Sequence, residues 1–227
     1  MTYVLHYAPD NASMIVRLTL DALDVPFETT LVDRRVSAQK SAAYLTLNPA
    51  GRIPVLVTPE GPIFETAAIL VWVADQHAGL APAAEHVDRG AFLAWLFFCS
   101  NTLHAHLRLL FYPDQLVGSD HVDAVQRGAA RNIQQDLRLL DRAAGHVFGA
   151  KHVQMIDFYI AACLRWCALY GPEDRSWFRL DDYPALAKLA ARVDGHPATL
   201  KAQEAEGLGP TPFSAPHYPT PLEGSAL

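Results

Sequence analysis

Two short stretches in the first third of the chain carry groups that suit the polar parts of a peptide-like ligand. Pro54 begins an apolar run, a position where a strand tolerates proline. If the Ile53–Pro54 peptide bond is cis, the Ile53 backbone turns outward, and its N–H and C=O can pair with an extended peptide. Glu65 and Thr66 lie at a predicted strand-to-helix junction, where free N–H groups and the helix dipole favour a carboxylate.

These residues together offer partners for a peptide backbone, a carboxylate and an α-amino group. The Thr66 hydroxyl can donate to the carboxylate, and Glu65 can accept from an ammonium. Glutathione presents all three groups on its γ-glutamyl and cysteinyl units. The plainer alternative is that Thr66 only caps its helix and Glu65 only complements the dipole, since such pairs are common. The residue types alone leave both interpretations open.

Hydrophobic periodicity places these stretches in an alternating strand and helix pattern. Predicted strands cover residues 3–6, 27–31, 53–57 and 63–64, and predicted helices cover 14–24 and 66–77. Residues 38–45 are predicted to form a short helix or an irregular segment. The last two strands are joined by a tight Pro-Glu-Gly-Pro connection, so they should be antiparallel and the sheet mixed.

The remainder of the chain reads as helical after a linker. Predicted helices cover residues 89–112, 120–147, 154–170, 183–193 and 197–205, and the nearly apolar 154–170 is expected at the bundle centre. Five prolines follow Gly207, which predicts an extended or mobile tail. Trp72 and a Phe92/Trp95 face exceed the needs of one bundle and hint at a homodimer.

Composition excludes several classes of function. The formal net charge is −6 and no basic run occurs, so no nucleic-acid partner is expected. No apolar stretch is long enough to span a bilayer, and residues 1–6 lead directly into a strand, so we expect no membrane partner and a cytoplasmic protein. The three cysteines, Cys99, Cys163 and Cys167, lie in apolar runs and are expected to be buried rather than disulfide-bonded.

The run Leu47-Asn48-Pro49-Ala50-Gly51-Arg52-Ile53-Pro54-Val55-Leu56, followed by Glu65-Thr66 and Ala68-Ile69, resembles the most specific motif of the cytosolic glutathione transferases. The resemblance covers residues 3–207. It implies an α/β thioredoxin-like N-terminal domain plus an all-α C-terminal bundle, and a homodimer. The corresponding boundaries are 1–78 for the glutathione-binding domain, 79–86 for the linker, 87–207 for the helical substrate domain and 208–227 for the tail.

The resemblance also implies how glutathione is held as co-substrate. It implies a cis Pro54, Ile53 pairing with the cysteinyl backbone, and Glu65 and Thr66 holding the γ-glutamyl group. A basic residue should meet the glycine carboxylate, although each candidate can equally be a solvated charge. The candidates are Arg34, Arg35, Lys40 and Arg52.

The resemblance also implies that the sulfur lies near the start of the first helix, where a hydroxyl or thiol, together with the helix dipole, stabilises the thiolate. The catalytic Cys of the proteobacterial branch would fall on Ala12 and is absent, so this sequence departs from that pattern. Asn11, Ser13 and Tyr7 are the catalytic candidates, with helix capping or core packing as the alternative for each. Asp10 would repel a thiolate, so it is expected to point away or to bind a cation.

A pocket for the second substrate should lie between the helices predicted at 89–112 and 154–170. Its candidate residues recur at helical spacing, with core packing as the alternative for the aromatic ones. They are Asn101, His104, Arg108, Tyr112 and Trp166. His104 and His106 point about 200° apart on a helix, so no metal site is expected.

The sequence therefore predicts a glutathione S-transferase that promotes attack of the glutathione thiolate on a small, hydrophobic electrophile. Two alternatives remain open. One is a glutathione-dependent reductase, peroxidase or isomerase of the same fold. The other is a non-catalytic glutathione-binding module.

Overall fold

The computed structural model describes residues 2–145, 147–150 and 152–220. The first third contains the predicted alternation of strands and helices. Its elements are β1 (Tyr3–Tyr7), α1 (Ser13–Ala22), β2 (Phe27–Leu31), α2 (Ala42–Leu47), β3 (Val55–Thr58), β4 (Gly61–Phe64) and α3 (Thr66–Gln76).

The strands form one mixed sheet in the order β2-β1-β3-β4. β1 is parallel to β2 and antiparallel to β3, and β4 is antiparallel to β3, which confirms the predicted mixed sheet. Leu5 of β1 lies opposite Leu56 of β3, and both side chains are fully buried. They pack against α1 and α3 through residues such as Val16 and Ile69. This packing fixes the starts of both helices relative to the sheet.

The described residues of the second part of the chain contain six α-helices. They are α4 (Arg89–Phe98), α5 (His104–Phe111), α6 (Val122–Ala143), α7 (Met155–Leu169), α8 (Pro184–Asp194) and α9 (Pro197–Glu206). The single helix predicted at 89–112 is wrong in one respect, because a π-helical turn at Cys99–Leu103 separates α4 from α5. Such a turn inserts an extra residue and rotates the following face of the helix.

Helix α7 is the buried centre of the bundle, as its apolar sequence predicts. Asp157 starts it by accepting the N–H of Gln154 at 2.9 Å and the N–H of Gly149 at 2.7 Å. Cys163 and Cys167 on this helix are buried and free, and so is Cys99, which confirms their interpretation as small core residues.

The tail from residue 208 contains no helix as far as Thr220, as predicted, but it is packed against the helical core, so the prediction of a mobile tail is wrong. Leu208 and Phe213 are buried in the helical core. Asp194 accepts the N–H groups of Phe213 at 2.8 Å and Ser214 at 3.1 Å. Apolar anchors and backbone partners thus hold a segment that contains no helix, and Pro221 to Leu227 lie outside the described residues.

The apolar face taken as a hint of a dimer is also partly wrong. Phe92 is fully buried within its own chain. Trp95 packs edge-on against Phe148, with 5.5 Å between ring centroids. Across residues 2–145, 147–150 and 152–220, no helix combines the length and the apolar character needed to cross a membrane.

Candidate active site

A cavity of about 560 Å³ lies where the sheet half meets the helical half. Its wall is formed by the loop before α1, the segment before β3, the first residues of α3, and parts of α5 and α7. Most of the site residues predicted from the sequence line it. They are Asn11, Lys40, Arg52, Ile53, Pro54, Glu65, Thr66, Asn101, His104, Arg108, Tyr112 and Trp166.

The start of α3 provides one polar wall of the cavity. Thr66 is the first helical residue, and the first helical hydrogen bond runs from the N–H of Ile69 to the carbonyl of Glu65 at 3.0 Å. The N–H groups ahead of Ile69 therefore have no carbonyl one turn earlier, and they can bind an anion. Glu65 has φ of 71°, which is rare for a residue other than glycine. A strained backbone at a cavity wall indicates a functional constraint.

The segment before β3 provides a second wall. The Ile53–Pro54 peptide bond is cis, as the resemblance implies. Ile53 precedes Val55, the first residue of β3 that pairs with β1, so Ile53 lies outside that ladder. The hydroxyl of Tyr44 and the side-chain amide of Asn48 both donate to the carbonyl of Arg52 at 2.8 Å. These two bonds fix the backbone that leads into Ile53.

Basic side chains occupy one end of the cavity. Lys40 and Arg52 line it, and Arg34 lines it beside Tyr112, to whose hydroxyl Arg34 donates at 3.2 Å. Lys40 lies close to Gly51. Gly51 has a φ of +60°, a conformation that residues with a side chain rarely adopt. A Cβ on Gly51 would come within 2.9 Å of the Lys40 ammonium nitrogen.

Arg35 does not line the cavity, which is a correction to its predicted role. Its guanidinium pairs with Asp33 at 2.8 Å in an exposed ion pair. Asp33 also accepts the N–H of Arg35 at 2.9 Å and so begins the short 3₁₀ turn of residues 34–36. The carboxylate that starts the turn holds the Arg35 side chain beside it.

Of the three catalytic candidates, Asn11 alone lines the cavity. Its Oδ1 accepts the N–H of Ala12 at 2.8 Å, and its Nδ2 donors have no partner within the part of the chain that the structure describes. Ser13 is fully buried, and its hydroxyl is bonded to the Ala8 backbone. Tyr7 lies outside the cavity, with the Arg17 guanidinium 4.9 Å from its ring centroid. The geometry therefore contradicts direct contact of Ser13 or Tyr7 with a ligand in this cavity.

Asp10, the neighbour of Asn11, is fully buried and binds a cation within the protein. Its two carboxylate oxygens each accept from the Arg165 guanidinium at 2.8 Å. The carboxylate also accepts from the Trp166 indole at 3.1 Å and from the Tyr170 hydroxyl at 2.5 Å. Burial, and secondly the Asp10 charge, raise the pKa of Tyr170, so the phenol stays protonated as a donor.

The same loop is held by Glu206 of α9 and, through Arg165, by the segment that follows α9. Arg165 donates to the carbonyls of Pro212 at 3.0 Å and His217 at 2.8 Å. Glu206 accepts the N–H of Asp10 at 3.0 Å and the Arg17 guanidinium at 2.7 Å. Sequence analysis missed these contacts, although a lone arginine inside the apolar run of α7 requires a buried carboxylate partner.

His104 lies on the helical wall of the cavity and hydrogen-bonds through Nδ1 to the Tyr159 hydroxyl at 3.0 Å. Its ring centroid is 5.1 Å from that of Trp166. Burial, and secondly the charge of Arg108, lower the pKa of His104 to about 4, so the imidazole is neutral at pH 7. Tyr159 was not predicted, although its spacing of two helical turns from Trp166 places both on one face of α7.

Arg108, one turn after His104, also faces the cavity. Its guanidinium lies 5.4 Å from the ring centroid of Tyr112. Burial, and secondly the charge of Arg52, lower the pKa of Arg108 from its usual range. His106 belongs to a different contact, because its Nδ1 lies 2.6 Å from the Asp136 carboxylate on α6. Within residues 2–145, 147–150 and 152–220 no cluster of three or more side chains suits a metal ion.

Comparison with known proteins identifies proteins of similar sequence and fold. Residues 1–75 match the family described as the glutathione S-transferase N-terminal domain. A glutathione S-transferase of Xanthomonas campestris pv. campestris is 29% identical, and the match covers 90% of this chain and 98% of that protein.

Solved structures agree with these sequence matches. A sphingomonad glutathione S-transferase complexed with glutathione is 30% identical, with a TM-score of 0.74, and the match covers 91% of this chain and 100% of that one. A glutathione transferase homologue from Sulfitobacter with bound glutathione has a TM-score of 0.79 at 16% identity. That match covers 90% of this chain and 98% of that one, and it shows a shared fold.

Proposed function

Because this chain belongs to the glutathione S-transferase family, we propose that it binds glutathione in the 560 Å³ cavity and promotes attack of the glutathione thiolate on an electrophile. One observation carries the proposal. The start of α3 at Glu65 and Thr66, the Ile53 backbone and the Lys40 ammonium surround a single cavity that Asn11 faces from the start of α1. A ligand with a carboxylate, an ammonium, a peptide backbone and a thiol matches this set of groups.

The binding roles follow from the chemistry of each wall. The γ-glutamyl carboxylate accepts hydrogen bonds from the Thr66 hydroxyl and from the free N–H groups that begin α3, while Glu65 accepts from the adjacent ammonium. The cysteinyl backbone pairs with Ile53, and Pro54 shapes that wall. The glycine carboxylate forms an ion pair with Lys40 or Arg52, both of which line the basic end of the cavity.

Asn11 is the proposed stabiliser of the sulfur. Its Nδ2–H donors can bond a thiolate, and the positive end of the α1 dipole adds to the same effect, so the thiol pKa falls. The thiol proton passes to solvent. The thiolate then forms a sulfur–carbon bond with the electrophile as a leaving group departs with its bonding electrons.

Titration of intrinsic tryptophan fluorescence with glutathione tests the binding half of the proposal. Glu65→Gln removes the charge that meets the ammonium, and we expect the Kd to rise about 10- to 100-fold, as loss of a charge-assisted bond implies. Glu28→Gln is the matched control, because Glu28 is exposed on β2 and outside the cavity. Equal affinities of the two variants would remove the Glu65 assignment.

Titration of thiolate absorbance in the protein–glutathione complex tests the catalytic half. Asn11→Ala should raise the pKa of the bound thiol and lower the rate of conjugation, whereas Asn132→Ala, exposed on α6, should change neither. A thiol pKa in the wild-type complex equal to that of free glutathione would instead favour a non-catalytic binding module. Production of oxidised glutathione from a peroxide or disulfide would favour the reductase alternative.

The homodimer also belongs to the proposal. Phe64 on the edge strand β4 and Phe97 on α4 are each about two-fifths exposed, at 38% and 43%, which supports a partner surface. Light scattering after gel filtration should give twice the monomer mass of 24.9 kDa, and a monomer would remove this claim. The cytoplasmic location stays a prediction.

A further inference from the structure

The charge of the cavity is opposite to that of the whole chain. The chain has a formal net charge of −6. The cavity is nevertheless lined by four basic side chains, Arg34, Lys40, Arg52 and Arg108. Its acidic lining residues are Asp10 and Glu65, and Asp10 is already neutralised by the buried Arg165. Apart from Arg34, which bonds to Tyr112, three cationic side chains and one further carboxylate, Glu65, line the cavity, so the lining attracts anions.

Glutathione alone does not supply a carboxylate for each of these cationic side chains. It brings two carboxylates and one ammonium, and the ammonium is assigned to Glu65. The γ-glutamyl carboxylate is assigned to the start of α3, and the glycine carboxylate needs one basic partner, Lys40 or Arg52. These assignments leave no carboxylate of glutathione for Arg108.

Arg108 differs from the other three basic residues in its position. It lies on α5, whereas the other three lie on the sheet half of the molecule. His104 precedes it by one turn and Tyr112 follows it by one turn, so all three share one face of the cavity wall. No carboxylate within the described residues forms an ion pair with Arg108.

The electrostatic environment of Arg108 favours a bound anion beside its guanidinium. Arg108 is half-buried, and Arg52 contributes a like charge, so the charged guanidinium is less stable there than in water. An anion placed beside Arg108 relieves both effects. Because its pKa is about 4, His104 is neutral at pH 7 and carries no positive charge that would compete with Arg108 for the anion.

We infer that the second substrate carries a carboxylate or an equivalent anionic group, and that Arg108 binds this group over the Tyr112 ring. The inference rests on the proposed function and narrows it. It also changes the expectation of a small, hydrophobic electrophile, because Phe111 and Trp166 provide apolar walls but the polar anchor is cationic. The acceptable electrophile is therefore an acid with an apolar body.

The reaction is an ordinary substitution for such a compound. With 4-chloro-3-nitrobenzoate, the thiolate sulfur forms a bond to the ring carbon that holds chlorine, and the chlorine leaves as chloride. The carboxylate takes no part in the bond changes. Its role is to place the reacting carbon next to the sulfur while Arg108 holds it.

The sharpest test compares two glutathione conjugates made in advance, one from 4-chloro-3-nitrobenzoate and one from the neutral 4-chloro-3-nitrobenzamide. Calorimetric titration gives the Kd of each, with no need for turnover. We expect wild-type protein to prefer the acid conjugate, and Arg108→Gln to weaken the acid conjugate at least about tenfold while changing the amide conjugate less than about threefold. Arg108→Lys should keep part of the preference.

Arg131→Gln is the charge-matched control, because Arg131 is exposed on α6 and outside the cavity. It should leave both affinities unchanged. Steady-state kinetics with the two chloronitrobenzenes should show the same ratio in kcat/KM. If Arg108→Gln changes the acid and amide conjugates equally, the inference is overturned.

Titration with glutathione alone separates this inference from the proposed function. Arg108→Gln should bind glutathione within about threefold of the wild-type Kd. If that Kd rises tenfold, and the glycine ethyl ester of glutathione abolishes the difference, Arg108 holds the glycine carboxylate and the inference fails while the proposed function stands. A second glutathione per chain that Arg108→Gln loses would identify the bound acid as glutathione itself. No glutathione binding by wild-type protein would refute the proposed function.

Discussion

Asp10→Asn removes the carboxylate that pairs with Arg165 inside the protein. Both side chains are fully buried, so water cannot solvate the guanidinium left behind. The carbonyls of Pro212 and His217 still accept from it, but they do not neutralise its charge. Breaking a buried pair by removing one partner typically costs about 3–5 kcal/mol. That is a large part of an ordinary free energy of unfolding of about 5–15 kcal/mol.

Thermal unfolding followed by circular dichroism measures this loss. For a chain of this length each kcal/mol corresponds to about 2–4 °C, so Asp10→Asn should lower Tm by about 6–20 °C. Asp33→Asn is the matched control, because Asp33 also pairs with an arginine, Arg35, but at the surface. Its Tm should stay at the wild-type value within error, since exposed ion pairs contribute little.

The double variant Asp10→Asn/Arg165→Met completes a mutant cycle. With both charges removed, the loss of stability should be smaller than the sum of the two single losses by at least about 1 kcal/mol. A fall in Tm below about 2 °C for Asp10→Asn would refute the reasoning. Strict additivity in the cycle would do the same, because it would mean that the two charges do not interact.

Two further predictions concern the cavity wall. Between pH 6.5 and about 4 His104 is protonated in the unfolded chain but stays neutral in the folded chain. As the pH falls through this range, the free energy of unfolding should therefore fall by up to about 1.4 kcal/mol per pH unit. His104→Gln should flatten this slope in urea titrations. Superimposable pH slopes would show that His104 is not the group responsible. Gly51→Ala should lower stability by about 1–2 kcal/mol at a φ of +60° and weaken glutathione binding by displacing Lys40. Gly90→Ala in α4, where the added Cβ would have no atom outside the neighbouring helix backbone within 4 Å, should raise stability by about 0.5–1 kcal/mol. Matching effects of the two substitutions would contradict the steric argument.

Local patterns predict most of the sheet half correctly. Strands and helices there follow from periods of two and 3.6 residues, and the structure confirms their order and the mixed sheet. Glu65 and Thr66 reach the cavity because a strand-to-helix junction places its first N–H groups at the end of the sheet. Their position depends on neighbours in sequence, which a single chain reveals.

The loop before α1 is less predictable, because its direction depends on distant contacts. Asp10 has a φ of 52°, a left-handed conformation that the buried pair with Arg165 holds in place. Asn11 lines the cavity, while Ser13, two residues later, faces the Ala8 backbone. Spacing in the sequence supports Asn11 and Ser13 similarly as catalytic residues, and only the turn at Asp10 shows which of them faces the cavity.

The π-helical turn between α4 and α5 is unpredictable for a related reason. The apolar period of residues 89–112 continues across the turn, so the sequence shows one helix. The inserted residue is noticeable only in three dimensions, where Ser100 and Asn101 line the cavity. Such turns are frequently found at functional sites.

The loop that carries Asn11 is held in position by α9 and by the segment that follows it. Glu206 accepts the N–H of Asp10, and Arg165 joins the Asp10 carboxylate to carbonyls in the segment after α9. A loop held only by local bonds would sample other turns, since a positive φ at a non-glycine residue is unfavourable. The geometry at the sulfur and the stability of the helical half therefore share the same contacts. A substitution that weakens them should lower the conjugation rate at temperatures where the chain is still folded, because Asn11 loses its fixed direction before the domain unfolds.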